Sequence, residues 1–133
     1  MDNTNIMVEF RILSDDLNPK VITEKLLIEP NQYWMKGENI KNRDLKREYS
    51  CWIISTGYEE SLDINSQLFK MLNLLKSKKK DLQYLRDKYS LEYRFDIVIN
   101  IENNEKPAIF LNSEVIGFAN DIKAEFDFDI YIY

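Results

Sequence analysis

Carboxylates are the main side chains in this sequence that could do chemistry, because it contains no histidine and one cysteine, Cys51. That composition excludes Ser-His-Asp and Cys-His nucleophile pairs, and it excludes zinc sites built from His and Cys. Four aspartates form two close pairs: Asp15 and Asp16 follow the first predicted strand, and Asp127 and Asp129 alternate along the last. Oxygen ligands of this kind suit Mg²⁺ or Ca²⁺.

A simpler interpretation of these aspartates is structural. Asp15 and Asp16 would form a turn that leads into a helix, while Asp127 and Asp129 would pair with Arg11, Arg94 or solvent across an open sheet face. We favour this interpretation, so we predict no catalytic residue, no metal site and no cofactor, and a protein that is not an enzyme.

The last nine residues, 125–133, alternate with a period of two, which predicts a strand with two different faces. We expect the even positions to face the core: Phe126, Phe128, Ile130 and Ile132. The odd positions would form an open row of acids and tyrosines: Glu125, Asp127, Asp129, Tyr131 and Tyr133. Tyrosine is enriched at protein interfaces, so this row is a candidate binding surface. The alternative interpretation is that the tyrosines only pack against neighbouring strands beside a solvated edge.

A second candidate surface is the segment 31–47, which shows no clear period and is locally basic. Its candidate binding residues are Tyr33, Trp34, Lys36, Arg43 and Arg47. Two interpretations stay open: a loop that binds an anion or an acidic partner, or a mobile connection whose aromatic side chains tuck under the domain.

The chain has 133 residues, a net charge of −5 and a pI near 4.8. This charge disfavours nucleic acid and anionic membranes as partners and permits a basic protein. There is no secretion signal at the N-terminus and no apolar run long enough to span a bilayer, so we expect a cytoplasmic protein. Its oligomeric state is not predicted.

The periodicity predicts the element order β-α-β-α(α)-β-β-α-β in a single domain, 1–133. Residues 92–111 are typical of a hairpin, Asn18 is an expected helix cap before Pro19, and Ser113 is expected to cap the last helix. We therefore predict an α+β two-layer sandwich: a mostly antiparallel five-stranded sheet with helices on one face, related to the ferredoxin-like arrangement.

Short motifs along nearly the whole chain give a family resemblance. They are Ser14-Asp15-Asp16-Leu17-Asn18-Pro19, Ile22-Thr23, Pro30, Lys36-Gly37, Trp52 with Ser55, and Phe128-Asp129-Ile130-Tyr131. In this order they resemble the bacterial family catalogued as domain of unknown function 4279, in which a glycine often stands where this chain has Leu27. The resemblance implies no assigned activity.

Two functions remain as hypotheses. The first is a non-catalytic protein-binding module, by analogy an immunity-type protein that neutralises a bacterial toxin through its acidic sheet face. The alternative is a small-ligand-binding or regulatory domain that recognises an anion through the 31–47 segment.

Overall fold

The computed structural model describes residues 2–133 as an α+β fold with one sheet and helices on one side of it. The strands are β1 Asn5–Ser14, β2 Gln32–Trp34, β3 Ser50–Ser55, β4 Glu59–Glu60, β5 Glu92–Ile101 and β6 Glu125–Ile132. The helices are α1 Lys20–Leu26, α2 Ile64–Leu75, α3 Lys79–Tyr89 and α4 Ser113–Ile122, with a 3₁₀ turn, Lys76–Lys78, between α2 and α3. The α+β class is confirmed.

The strand order in the sheet is β2-β3-β1-β5-β6, and the short β4 pairs with one end of β1. All pairings are antiparallel except that of β5 with β6, which is parallel and is connected by α4. The sheet therefore has six strands, and the predicted count of five is wrong. Two short strands, β2 and β4, were missed because two or three residues show no readable period.

The predicted hairpin over 92–111 is also wrong. Residues 108–111 form no strand, and Ala108 makes an isolated parallel bridge with Asp63 at the start of α2. Asn65 holds this segment: its side-chain amide donates to the carbonyl of Phe110 at 3.0 Å and its carbonyl accepts from the N–H of Asn112 at 3.1 Å. Because the ferredoxin-like expectation depended on that hairpin, the ferredoxin-like topology is not confirmed.

The core lies between the helices and one face of the sheet, which we call the helix face; the opposite side is the open face. The even positions of β1 and the odd positions of β5 are buried there, as their alternation predicts. Trp52 is completely buried and donates its indole N–H to Thr23 on α1 at 3.0 Å. Tyr93 is equally buried and donates its hydroxyl to the carbonyl of Leu82 on α3 at 2.6 Å. These two bonds join the helices to the sheet.

Helix ends follow local side-chain chemistry. The side chain of Asn18 accepts from the N–H of Lys20, as expected of a cap, but the predicted cap Ser113 is wrong by one residue. Asn112 accepts from the N–H of Glu114 instead. At the end of α1, Leu27 adopts the left-handed conformation, φ 56° and ψ 37°, and its side chain is 81% exposed. This backbone conformation favours glycine, which accounts for the glycine expected here from the family resemblance.

The expected burial of the even face of β6 is wrong beyond its first member. Phe126 is partly buried and stacks on Phe95, with ring centroids 5.4 Å apart. Phe128, Ile130 and Ile132 are on the same face but are 37%, 47% and 72% exposed. The strand is at the edge of the sheet, so helices reach it only at its beginning. Alternation gives the period of a strand but not its place in the sheet.

Candidate functional site

Four of the predicted binding residues lie together on the open face of β6. Asp127, Asp129, Tyr131 and Tyr133 are all exposed, and the register places Asp127 beside Asp96 of β5. They alternate along one strand at the sheet edge, so their side chains form a continuous row together with Glu125. We call Glu125, Asp127, Asp129, Tyr131 and Tyr133 the acidic row.

The arginines nearest in the sheet are engaged by other carboxylates. Arg11 on β1 contacts Asp96 at 2.9 Å and Glu9 at 3.0 Å, and Arg94 on β5 contacts Asp96 at 2.6 Å. Of the expected partners of Asp127 and Asp129, which were Arg11, Arg94 or solvent, solvent is the one observed, because Asp96 takes both arginines. Among residues 2–133, no cation lies within 4.0 Å of the carboxylates in the acidic row.

The carboxylates around both arginines raise their pKa values. The hydrogen bond to Asp96 raises the pKa of the Arg94 guanidinium, and the charge of Asp127 acts in the same direction. Burial works to lower the pKa of Arg11, but the hydrogen bond to Glu9 and the nearby carboxylates outweigh it. Both arginines stay charged, so the centre of the open face is balanced and its excess negative charge lies at the β6 edge.

Sequence reasoning did not recognise Asp96 as the residue that organises this face. Its side chain is nearly buried, although it lies outside the core, because the two arginine side chains cover it. The signal was present in the sequence, since Arg11, Arg94 and Asp96 all occupy polar positions of alternating strands. Their contact required the β1–β5 register, in which Arg11 lies opposite Arg94 and Glu9 opposite Asp96.

The 31–47 segment is structured. It begins with β2 and continues as a tight excursion. The N–H of Gly37 donates to the carbonyl of Arg47 at 2.8 Å, and the N–H of Arg47 donates to the carbonyl of Glu38 at 2.7 Å. A further bridge joins Asn39 to Lys46. These contacts give the segment a defined backbone path, and both interpretations of its role stay predictions.

The five predicted residues of this segment do not converge on one point. Trp34 is buried on the open face beside Cys51 and Ile53, and the Arg47 guanidinium lies 3.8 Å from the centre of its ring. Tyr33 pairs with Trp52 in the register, which places its half-exposed side chain on the helix face.

The remaining basic side chains of the segment are separated as well. Lys36 forms an exposed ion pair with Asp15 at 3.4 Å, and Arg43 is exposed at the tip of the excursion.

Tyr33 lines a cleft of about 250 Å³ at the β2 edge of the sheet. The other lining residues are Pro19, Lys20, Thr23, Glu24, Glu29 and Pro30.

Within residues 2–133, no group of three or more Asp, Glu or Cys side chains is arranged to hold a metal ion. None of the helices in this part of the chain combines the length and apolar character needed to cross a bilayer. The only cysteine, Cys51, is buried, and burial raises the pKa of its thiol to about 11.

Fold and surface together define an α+β domain with helices on one side of a mixed sheet and an acidic, tyrosine-bearing edge on the other. The chain belongs to the family described as domain of unknown function (DUF4279), whose model matches residues 4–133. The family resemblance seen in the sequence is thereby confirmed. No curated protein and no solved structure matches the chain significantly.

Proposed function

We propose that this protein is a non-catalytic protein-binding module that docks on a basic partner through the acidic row of β6. The observation that supports this most directly is the uncompensated charge of the row: Glu125, Asp127 and Asp129 are exposed, while the adjacent arginines are used by Asp96. Charges left open at a surface are available to a partner of opposite sign.

The tyrosines supply the other half of a binding surface. Tyr131 and Tyr133 are 50% and 71% exposed and continue the row on the same face. Their rings offer apolar area with little side-chain entropy to lose, and their hydroxyls can bond at the rim. An acidic half beside an aromatic half suits a basic protein surface. An immunity-type role beside a toxin is one such function, and we propose it together with a cytoplasmic location.

Charge reversal tests this proposal. The probe proteins are the basic products encoded beside the gene for this chain, and binding is measured by titration calorimetry at low and physiological salt. We expect the double variant Asp127→Lys/Asp129→Lys to lose at least about tenfold in affinity, since each reversed contact is worth about 1 kcal/mol or more at a docked interface.

A matched control variant makes the same change in net charge at a different part of the surface. Asp87 and Glu105 are exposed acids outside the sheet, on α3 and in the loop after β5. The double variant Asp87→Lys/Glu105→Lys should keep wild-type affinity apart from a small loss in on-rate. Equal losses in both double variants would reduce the effect to net charge, and no loss in either would remove the acidic row from the interface.

The alternative function, recognition of a small anion by the 31–47 segment, has weaker support. Lys36 is already paired with Asp15, and Arg47 already stacks on Trp34. Arg43 is the exposed cation of the set that makes neither kind of contact. A thermal-shift screen with anionic metabolites and Mg²⁺ separates the two functions, because a ligand bound at this segment would raise the melting temperature of the protein alone.

A further inference from the structure

The outer edge of β6 has unpaired backbone groups at defined positions. The N–H of Tyr133 donates to the carbonyl of Ile101 on β5 at 3.0 Å. Backbone groups point to alternate sides along a strand, so Tyr131, Asp129 and Asp127 also bond towards β5. The N–H and C=O groups of the even residues therefore point away from the sheet. Within residues 2–133, no strand lies on that side of β6.

The same even residues have the apolar side chains left uncovered on the helix face. Phe128, Ile130 and Ile132 thus combine an outward-pointing backbone with an exposed hydrophobic side chain. The register with β5 runs without interruption from Glu125 to Ile132, and the strand contains no proline. Bulges and prolines are among the devices that keep sheet edges from pairing, and β6 has neither.

We propose that a second copy of this chain pairs with β6 in antiparallel fashion, with Ile130 on the two-fold axis. In this register Ile130 lies opposite Ile130 of the second copy, and Phe128 lies opposite its Ile132. Each pair exchanges two backbone hydrogen bonds and joins apolar side chains on the helix face. The two sheets become one continuous sheet with its helices on a single side.

Charge complementarity favours this register over those centred nearer to the beginning of β6. With Ile130 on the axis, Asp129 lies opposite Tyr131 of the second copy, and Asp127 lies opposite its Tyr133. A carboxylate then meets a hydroxyl donor at each open-face position. Centring the pair on Asp129 would place that residue opposite its own copy, and centring it on Phe128 would oppose Asp127 to Asp129. Both of those registers confront like charges.

This inference is independent of the proposed function. Pairing uses the backbone edge, the helix-face side chains and lateral contacts of Asp127 and Asp129 with tyrosines of the second copy, and it leaves the acidic row on the surface of the open face. The dimer brings two acidic rows side by side, which would enlarge the surface available to a basic partner. Failure of either proposal leaves the other intact, because the one is measured with this chain alone and the other with a partner present.

Sedimentation velocity of the purified chain over a range of concentrations, roughly 1 to 500 μM, tests the pairing. We expect a reversible monomer–dimer equilibrium. The decisive variants are at Tyr131, whose exposed side chain can be changed without loss of the fold. Tyr131→Lys puts a cation opposite Asp129 twice per dimer and should tighten the dimer about fivefold, whereas Tyr131→Asp should weaken it by a similar factor.

A second pair of variants isolates the backbone contribution. Ile130→Ala removes the side chain and keeps the outward N–H; Ile130→Pro removes that N–H as well, while the ladder with β5 does not use it. We expect Ile130→Pro to abolish the dimer and Ile130→Ala only to weaken it. A monomer at every concentration would overturn the proposal, and so would equal effects of Tyr131→Lys and Tyr131→Asp. If Ile130→Pro fails to fold, the Tyr131 pair still decides. A monomer that instead binds a lysine-alternating strand peptide at β6 would replace the second copy by a basic segment.

Discussion

Replacing Leu27 by glycine should stabilise the protein. Leu27 ends α1 in the left-handed conformation, φ 56° and ψ 37°, and its N–H donates to the carbonyl of Thr23 at 2.8 Å. The left-handed conformation is about 1–2 kcal/mol less favourable for a residue with a Cβ, and glycine adopts it without this cost. Glycine also has more conformational freedom in the unfolded chain, and this lowers the expected stabilisation by about 0.4–1 kcal/mol. The 81% exposed side chain contributes almost no burial, so little is lost with it.

The net gain in the free energy of unfolding is therefore about 0.5–1 kcal/mol. For 133 residues the entropy of unfolding is roughly 0.28 kcal/mol/K, from about 2.1 cal/mol/K per residue, so the melting temperature should rise by about 2–4 °C. Thermal and urea denaturation followed by circular dichroism measure both quantities.

Two matched variants separate backbone strain from side-chain effects. Leu27→Ala removes most of the same side chain and keeps the left-handed strain, so its stability should stay within about 0.5 kcal/mol of wild type. Glu24→Gly places a glycine at an exposed position inside α1 and should cost about 1 kcal/mol. If Leu27→Gly were no more stable than Leu27→Ala, strain at this position would not limit stability and the reasoning would be refuted.

Four further predictions concern buried polar groups. Asn65→Ala should cost about 2–3 kcal/mol in urea denaturation, because it frees the carbonyl of Phe110 and removes the acceptor for the N–H of the α4 cap. Asp96→Asn should cost about 1–3 kcal/mol, since two arginines lose their shared carboxylate; the exposed Asp127→Asn is the control and should be neutral. Burial raises the pKa of the Tyr93 hydroxyl well above its usual value. The stability that the protonated hydroxyl contributes is therefore complete below pH 10 and declines as the pH rises further. A titration followed at 295 nm should show Tyr93 ionising only on unfolding, and the variant Tyr93→Phe should lose this alkaline dependence of stability. The thiol of Cys51, with its pKa raised from 9.0 to about 11, should react with Ellman's reagent only in denaturant, and rapid reaction of the native protein at pH 8 would contradict its burial.

Long amphipathic elements could be predicted from the sequence because burial repeats with their period. The alternation of β1 and β5 and the three-and-four spacing of α2 each place the correct residues in the core. The two-residue strand β4 and the three-residue strand β2 could not be predicted, since their pairing depends on neighbours distant in sequence. Residues 108–111 could not be predicted either. Their apolar side chains are typical of a strand, but the segment is held in place by a hydrogen bond from Asn65 and an isolated bridge to Asp63.

The candidate site shows the same division between local pattern and tertiary position. Alternation along β6 was enough to place Asp127, Asp129, Tyr131 and Tyr133 on one face. It could not show that β6 is an edge strand, which leaves Ile130 half exposed on the opposite face. Residues of the 31–47 segment have no common period, so only coordinates could show that Trp34 and Tyr33 point to opposite sides of the sheet.

The order of strands in the sheet has a consequence for how the chain is made. β1 precedes every other strand in the sequence, yet it occupies the middle of the sheet and pairs with β3 and β5. Asn5 pairs with Asn100, so closing this ladder brings together residues 95 positions apart in the sequence. Contacts so distant in sequence slow folding, because much chain entropy is lost before they form. During translation the side of β1 that pairs with β5 therefore stays unpaired until β5 has left the ribosome, although β3 and α2 can contact β1 earlier.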